Sequence, residues 1–139
     1  MKFLSGYVFI VLLFAQSAFS ASLDVSVHGL TSRGGALNVS IWKNVKGFPK
    51  KPEEALDLKI VPVVGSDMTV RFEELEKGHY AVMAYHDLNS NGKLDMGLMG
   101  PKEPYGLSNN FRSKFGPPNF EDCAFSISDN MQVINIKIK

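Results

Sequence analysis

The chain has 139 residues, 45% of them hydrophobic, with 15 Lys and Arg against 14 Asp and Glu and a single cysteine. That length suits one domain with one core. A net charge near zero removes the electrostatic basis for binding nucleic acid or an anionic membrane, and one thiol excludes an intrachain disulfide even where export would permit one.

Residues 1–20 read as an export signal. Lys2 supplies the positive start, Tyr7 to Ala15 is an apolar run, and Ala18-Phe19-Ser20 places small residues where signal peptidase reads them. A membrane anchor would need about 20 consecutive apolar residues. Gln16, Ser17 and Ser20 cut this run short. Cleavage after Ser20 leaves one domain over 21–139, periplasmic or extracellular, with no membrane span.

The remainder reads as short strands between turn residues. Leu23, Val25 and Val27 alternate with Asp24, Ser26 and His28, and Leu37, Val39 and Ile41 alternate with Asn38, Ser40 and Trp42, which predicts two half-buried strands. Thr31 to Gly35 between them has hairpin composition. Lys43, Lys46, Lys50 and Lys51, broken by prolines and acids, read as a solvated loop, and Pro52 to Leu56 as one helical turn at most. Leu58, Ile60 and Pro62 form a third strand, with Pro62 pointing to an edge. Met68, Val70 and Phe72 form a fourth. Tyr80 to His86 is apolar at nearly every position and reads as a central strand.

From Met96 to Asn119 no period survives, and the glycines and prolines there predict a long surface excursion of the kind that is functional or disordered. Its aromatics Tyr105, Phe111 and Phe115, with Phe120 just beyond, either bind a ligand or tack the excursion onto the sheets. Phe120 to Ser128 reads as a sixth strand holding Cys123 as a small buried hydrophobe. After a turn at Asp129-Asn130, Val133 to Lys139 is the seventh.

The strongest local motif is Asp87-Leu88-Asn89-Ser90-Asn91-Gly92-Lys93-Leu94-Asp95, with side-chain oxygens at every second residue and a glycine after the third. A calcium loop of the EF-hand type takes ligands from positions 1, 3, 5, 7 and 9, with Gly at 6 and a bidentate acid at 12. Asp87, Asn89, Asn91, the Lys93 carbonyl and Asp95 match in order, but position 12 is Leu98. Glu103 is the acid best placed to replace it, with Asp122 next. An Asx-rich turn capping its own backbone explains the same residues without a metal. Adjacent His86 and Asp87 suggest base chemistry, yet strand neighbours face opposite ways. The three histidines show no ligand spacing, and Ser108-Asn109-Asn110 is no nucleophile elbow.

Phe72-Glu73-Glu74-Leu75-Glu76-Lys77-Gly78-His79-Tyr80-Ala81-Val82 resembles the strand pair of transthyretin-like and carboxypeptidase-regulatory-like sandwiches. Followed by His86 to Asp95, Gly100 to Asn110 and Gly116-Pro117-Pro118-Asn119-Phe120, it is similar to a bacterial exported family, number 2141 of the domains of unknown function. The resemblance implies export and a β-sandwich, and it carries no catalytic residue.

The expected fold is all-β: a single seven-stranded antiparallel β-sandwich, immunoglobulin-like or transthyretin-like, with one long irregular loop. The expected function is a non-catalytic exported module with a structural calcium loop (Asp87, Asn89, Asn91, Lys93, Asp95, Glu103) and a surface for a protein or small-molecule partner on the long loop. The alternative is a periplasmic enzyme using the acids and His86. That alternative requires Glu103, His86 and Asp122 to converge on an open cleft.

Overall fold

A computed structural model describes residues 20–31 and 33–139. The expected export signal lies outside the described residues except for Ser20. Among the described residues the chain forms ten strands in three sheets. The strands are β1 (Ala21–His28), β2 (Ala36–Trp42), β3 (Asp57–Pro62), β4 (Asp67–Leu75), β5 (Gly78–Asp87), β6 (Met96–Gly97), β7 (Gly100–Pro101), β8 (Tyr105–Leu107), β9 (Phe125–Ile127) and β10 (Met131–Lys137), with single 3-10 turns at Pro52–Glu54, within the expected Pro52 to Leu56, and at Ser108–Asn110, and one α-helical turn, α1 (Phe120–Cys123).

One sheet runs β10-β1-β4, and the other runs β3-β2-β5-β8 with β9 also pairing β5. Strand β1 shows the alternation its sequence predicts, burying Leu23, Val25 and Val27. These pack with Val70, Phe72 and Ile136 of their own sheet against Leu37, Val39, Ile41, Tyr80 and Val82 of the other, as one cluster between the two sheets. The all-β class and the central place of β5 follow the sequence, and β3 with Pro62 lies at an edge.

Five expectations are corrected. The count of seven strands fails because ten form, and the wholly antiparallel pairing fails because β1 pairs β10 in parallel from Ser22 opposite Met131 to His28 opposite Lys137. The 29–35 connection is no hairpin, since β1 and β2 belong to different sheets. It enters β2 at Gly35, whose φ is +66° and where an added Cβ would stand 2.4 Å from the Asp87 carbonyl oxygen, so only glycine lets the two backbones pass. Strand β2 is buried at all seven residues rather than on one face. Finally, Phe120 to Ser128 is not one strand. After Pro117-Pro118, Asn119 leads into α1, whose first turn carries Glu121 and Asp122 as a helix N-terminus favours. Phe120 and Cys123, three apart, are its buried residues.

The second burial of β2 and β5 comes from the excursion. Trp42, Ala81, Met83 and Tyr85 point away from the shared core and are covered by Leu107, Phe120 and Cys123, with Tyr105, Phe111 and Phe48 packed around them. Trp42, Phe48 and Phe120 meet edge to face, with ring centroids 5.5 and 5.7 Å apart. The region expected to lack periodicity therefore contains β8, which joins the sheet beside β5. Its middle residue Gly106 lets β10 close in, because a Cβ there would lie 2.6 Å from Ile136 Cγ2 and 2.9 Å from the Lys137 carbonyl oxygen.

At the end of β1 the His28 ring reaches Asp67 Oδ1 at 2.8 Å through Nδ1 and Asn135 Oδ1 at 3.0 Å through Nε2. Two acceptors favour the doubly protonated ring, so the Asn135 oxygen first and the Asp67 carboxylate second raise its pKa above the ordinary 6.5. A raised pKa gives stability that is present below the ordinary value and fades as pH rises through the folded one. Melting temperatures between pH 6 and 8.5 therefore fall more for the wild type than for His28→Gln. Equal slopes would refute this contribution.

Candidate functional site

Strand β5 delivers two polar residues to one end of the molecule, and its pleat sends them to opposite faces. His86 lies opposite Leu37 and is fully buried. Its Nε2 sits 2.8 Å from the Gly34 carbonyl, and among the described residues Nδ1 has no partner. A ring that donates from Nε2 and leaves Nδ1 bare inside the protein is a packed strand residue.

Asp87, 1% exposed, opens the polar loop. Its Oδ1 accepts the Asn91 N–H at 3.1 Å and its Oδ2 the Gly92 N–H at 2.7 Å. Asn89 Oδ1 accepts the Asn91 N–H at 3.3 Å, and Asn91 Oδ1 the Lys93 N–H at 3.0 Å. The two amide nitrogens then donate to the two oxygens of Asp95, at 2.8 Å from Asn89 and 2.9 Å from Asn91. Gly92 takes φ +77°, the left-handed conformation that this turn requires. Asp87, Asn89, Asn91, Lys93 and Asp95 are thus one cross-linked turn, with Lys93 joined through its backbone.

Glu103 is the residue that makes the turn a clasp. It is 6% exposed, and its Oε1 accepts the Leu88 N–H at 2.9 Å while its Oε2 accepts the Asp95 N–H at 3.0 Å. One carboxylate therefore joins both ends of the loop. The β6–β7 hairpin carries it back: the Lys102 N–H donates to the Asp95 carbonyl at 2.8 Å, and the Pro104 carbonyl accepts the His86 N–H at 2.9 Å. Asp122, the other expected acid, is exposed on α1, and its carbonyl receives the Asn109 side chain. Glu103 and His86 are covered and Asp122 stands apart from the clasp, so the three do not line a common open cleft.

The clasp gathers negative charge. Hydrogen bonds from Asn91 and Asn89, then the nearby Lys102 and Lys93, hold the Asp95 carboxyl below the usual range. Tyr85, whose hydroxyl donates to the Gly92 carbonyl at 3.3 Å, is pushed up to about 12 by burial first and by the carboxylates of Asp87, Glu103 and Asp95 after it. The donors are all oxygen or amide, the chemistry of a hard cation. Among the described residues, however, no three His, Cys, Asp or Glu side chains stand together as a metal-holding group. A cation would depend on the amide and backbone oxygens of the loop as well.

A second constellation escaped the sequence reading. The Ser108 hydroxyl accepts the Val82 N–H at 2.9 Å and donates to the Cys123 carbonyl at 2.5 Å. Asn109 donates to the Asp122 and Ala124 carbonyls, and Asn110 clamps β10 through the Lys137 N–H and the Asn135 carbonyl. Three consecutive side chains fasten the excursion to β5, α1 and β10. Their only signal in the sequence was their place in the motif run from Gly100 to Asn110. Of the excursion's aromatics, Phe120, Tyr105 and Phe111 tack it down, while Phe115 is 92% exposed.

These features define an all-β domain whose long excursion is fastened across its central sheet by a polar clasp and a row of side-chain staples. Residues 25–135 match the model of a family described as uncharacterized protein conserved in bacteria (DUF2141), and the chain belongs to that family. No curated protein and no solved structure matches it. Among the described residues no helix is long and apolar enough to cross a membrane.

Two outcomes follow. Ser108→Ala strands the buried Val82 N–H and costs about 1–3 kcal/mol, read as a fall of several degrees in Tm. An unchanged melt would show that the staple carries no weight. The Cys123 thiol, fully buried and pushed up to about 11 by burial and then by Asp122, reacts with a disulfide reagent at pH 8 only when the protein unfolds. Rapid modification of the folded protein would contradict this.

Proposed function

We propose that the protein is an exported, non-catalytic β-module whose loop from Asp87 to Glu103 is a structural clasp tightened by calcium, with the excursion it anchors serving as the working surface. The observation that carries this reading is Glu103, a buried carboxylate that joins both ends of the loop. Asp87, Asp95 and Glu103 supply the negative charge, and the Asn89 and Asn91 side-chain oxygens and the Lys93 carbonyl are the remaining donors. A cation offsets the mutual repulsion of three carboxylates held at one end of a sheet. Few loop carboxylates make the affinity modest, near the millimolar range of extracellular modules. The covered His86 and Glu103 favour this reading over an enzyme built on them, because a general base must reach its substrate.

Thermal melting tests the clasp. Calcium at ten times a millimolar Kd stabilises by about 1.4 kcal/mol through mass action, so Tm rises by a few degrees relative to chelator. Asp87→Ala and Glu103→Gln lower the melt in chelator and abolish the calcium response. A wild-type melt indifferent to calcium, with Asp87→Ala equally indifferent, overturns the metal.

A further inference from the structure

The polar clasp presents an apolar tip. Between β6 and β7 the chain turns through Leu98 and Met99, which are 106% and 101% exposed, and Met96 beside them is 62% exposed. Leu98 and Met99, at full exposure, project into solvent, and Met96 is mostly uncovered. Three large apolar side chains on one hairpin exceed the scatter of single exposed hydrophobics on an ordinary surface.

The charge around the tip is lopsided, although the whole chain is nearly neutral. Strand β5 ends here at Asp87, and Tyr105 of β8, which is hydrogen-bonded to Lys139 beyond β10, lies at the same end. The acids of this end are turned inward or engaged: Asp87 and Glu103 are buried in the clasp, Asp95 accepts from Asn89 and Asn91 with Lys102 and Lys93 nearby, and Asp67 holds His28. Its cations are exposed. Lys93, Lys102, Arg112 and Lys137 take part in none of the ion pairs found among the described residues. Arg112, Lys137, Lys139 and Asn110 line a shallow cleft of about 190 Å³. At the opposite end, where β2 finishes and β5 begins, Lys43, Lys46 and Lys51 are paired with Glu76 and Glu54.

We propose that this end docks on an anionic phospholipid surface, with Met96, Leu98 and Met99 entering the interface while Lys93, Lys102, Arg112 and Lys137 meet the headgroup phosphates. The proposal rests on the reading of the excursion as the working surface and does not need calcium. A fluid bilayer closes around a projecting apolar tip without a preformed groove, and the exposed cations beside it match an anionic headgroup layer. Met and Leu adapt readily to such a phase. Apolar insertion combined with cationic attraction is the balance that holds proteins at an interface without spanning it. A near-neutral total charge is compatible with this, because the exposed cations gather at one end.

The test is co-sedimentation of the exported protein with vesicles of phosphatidylglycerol and, separately, of phosphatidylcholine. Binding to the anionic vesicles at 50 mM salt, weakened several-fold at 500 mM and at least tenfold in Leu98→Ser/Met99→Ser, supports the proposal. Arg112→Glu/Lys137→Glu lowers binding several-fold with the apolar tip intact, and melting temperatures within a few degrees of wild type exclude misfolding. Wild type left in the supernatant with both vesicles overturns the proposal. A photo-cross-linking group at position 99 in the living cell separates the two readings. A discrete protein adduct overturns the lipid assignment and leaves the excursion as a working surface, while no adduct to lipid or protein overturns both.

Discussion

The constraint on which this molecule turns is that its central sheet is apolar on both faces. Strand β2 is buried at all seven positions and β5 at eight of its ten. A sheet of this kind needs two covers, as buried central strands generally do. The β10-β1-β4 sheet provides one, through the cluster around Leu23, Phe72 and Ile136. The third sheet, β6–β7, is only two residues per strand and supplies no such cover, so the irregular segments on either side of the strands must supply the other. Phe48 from the 43–56 connection and Leu107, Phe120 and Cys123 from the excursion do so.

An irregular segment used as a cover brings unpaired backbone groups over a buried surface, and these need partners. The polar residues meet that need. Glu103 serves two N–H groups at the start and end of the clasp, Asp87 serves two more inside it, and Ser108 serves Val82 from across the sheet. The acids of the loop and the Ser108 hydroxyl thus share a single physical task.

How much of this could be read in the chain depends on the distance over which each signal acts. The alternation of β1 was legible because one face meets core and the other solvent, and both are local facts. The β2 pattern of Asn38, Ser40 and Trp42 against Leu37, Val39 and Ile41 misleads for the opposite reason. Its second face is covered by residues far along the chain, and no local period announces a remote lid. The return of Glu103 to the loop was legible because the motif lacked one acid, so a search could be aimed, while its acceptance of the Leu88 and Asp95 N–H groups was not. Ser108 was not, since its two partners lie 26 and 15 residues away in opposite directions. The helical turn at Phe120 was hidden because a four-residue element is too short to show whether its period is two or near four.

The parallel ladder between β1 and β10 joins the first strand of the domain to the last, from Ser22 opposite Met131 to His28 opposite Lys137. Until the final residues are available, β1 has an open hydrogen-bonding edge beside the β4 pairing, and the shared core lacks Ile136 and Ile138. A chain threaded through a narrow passage with its beginning first therefore cannot complete this layer until its end has followed. Contacts so distant in sequence also close slowly. The topology thus delays completion of this layer until the strand Met131–Lys137 has been added.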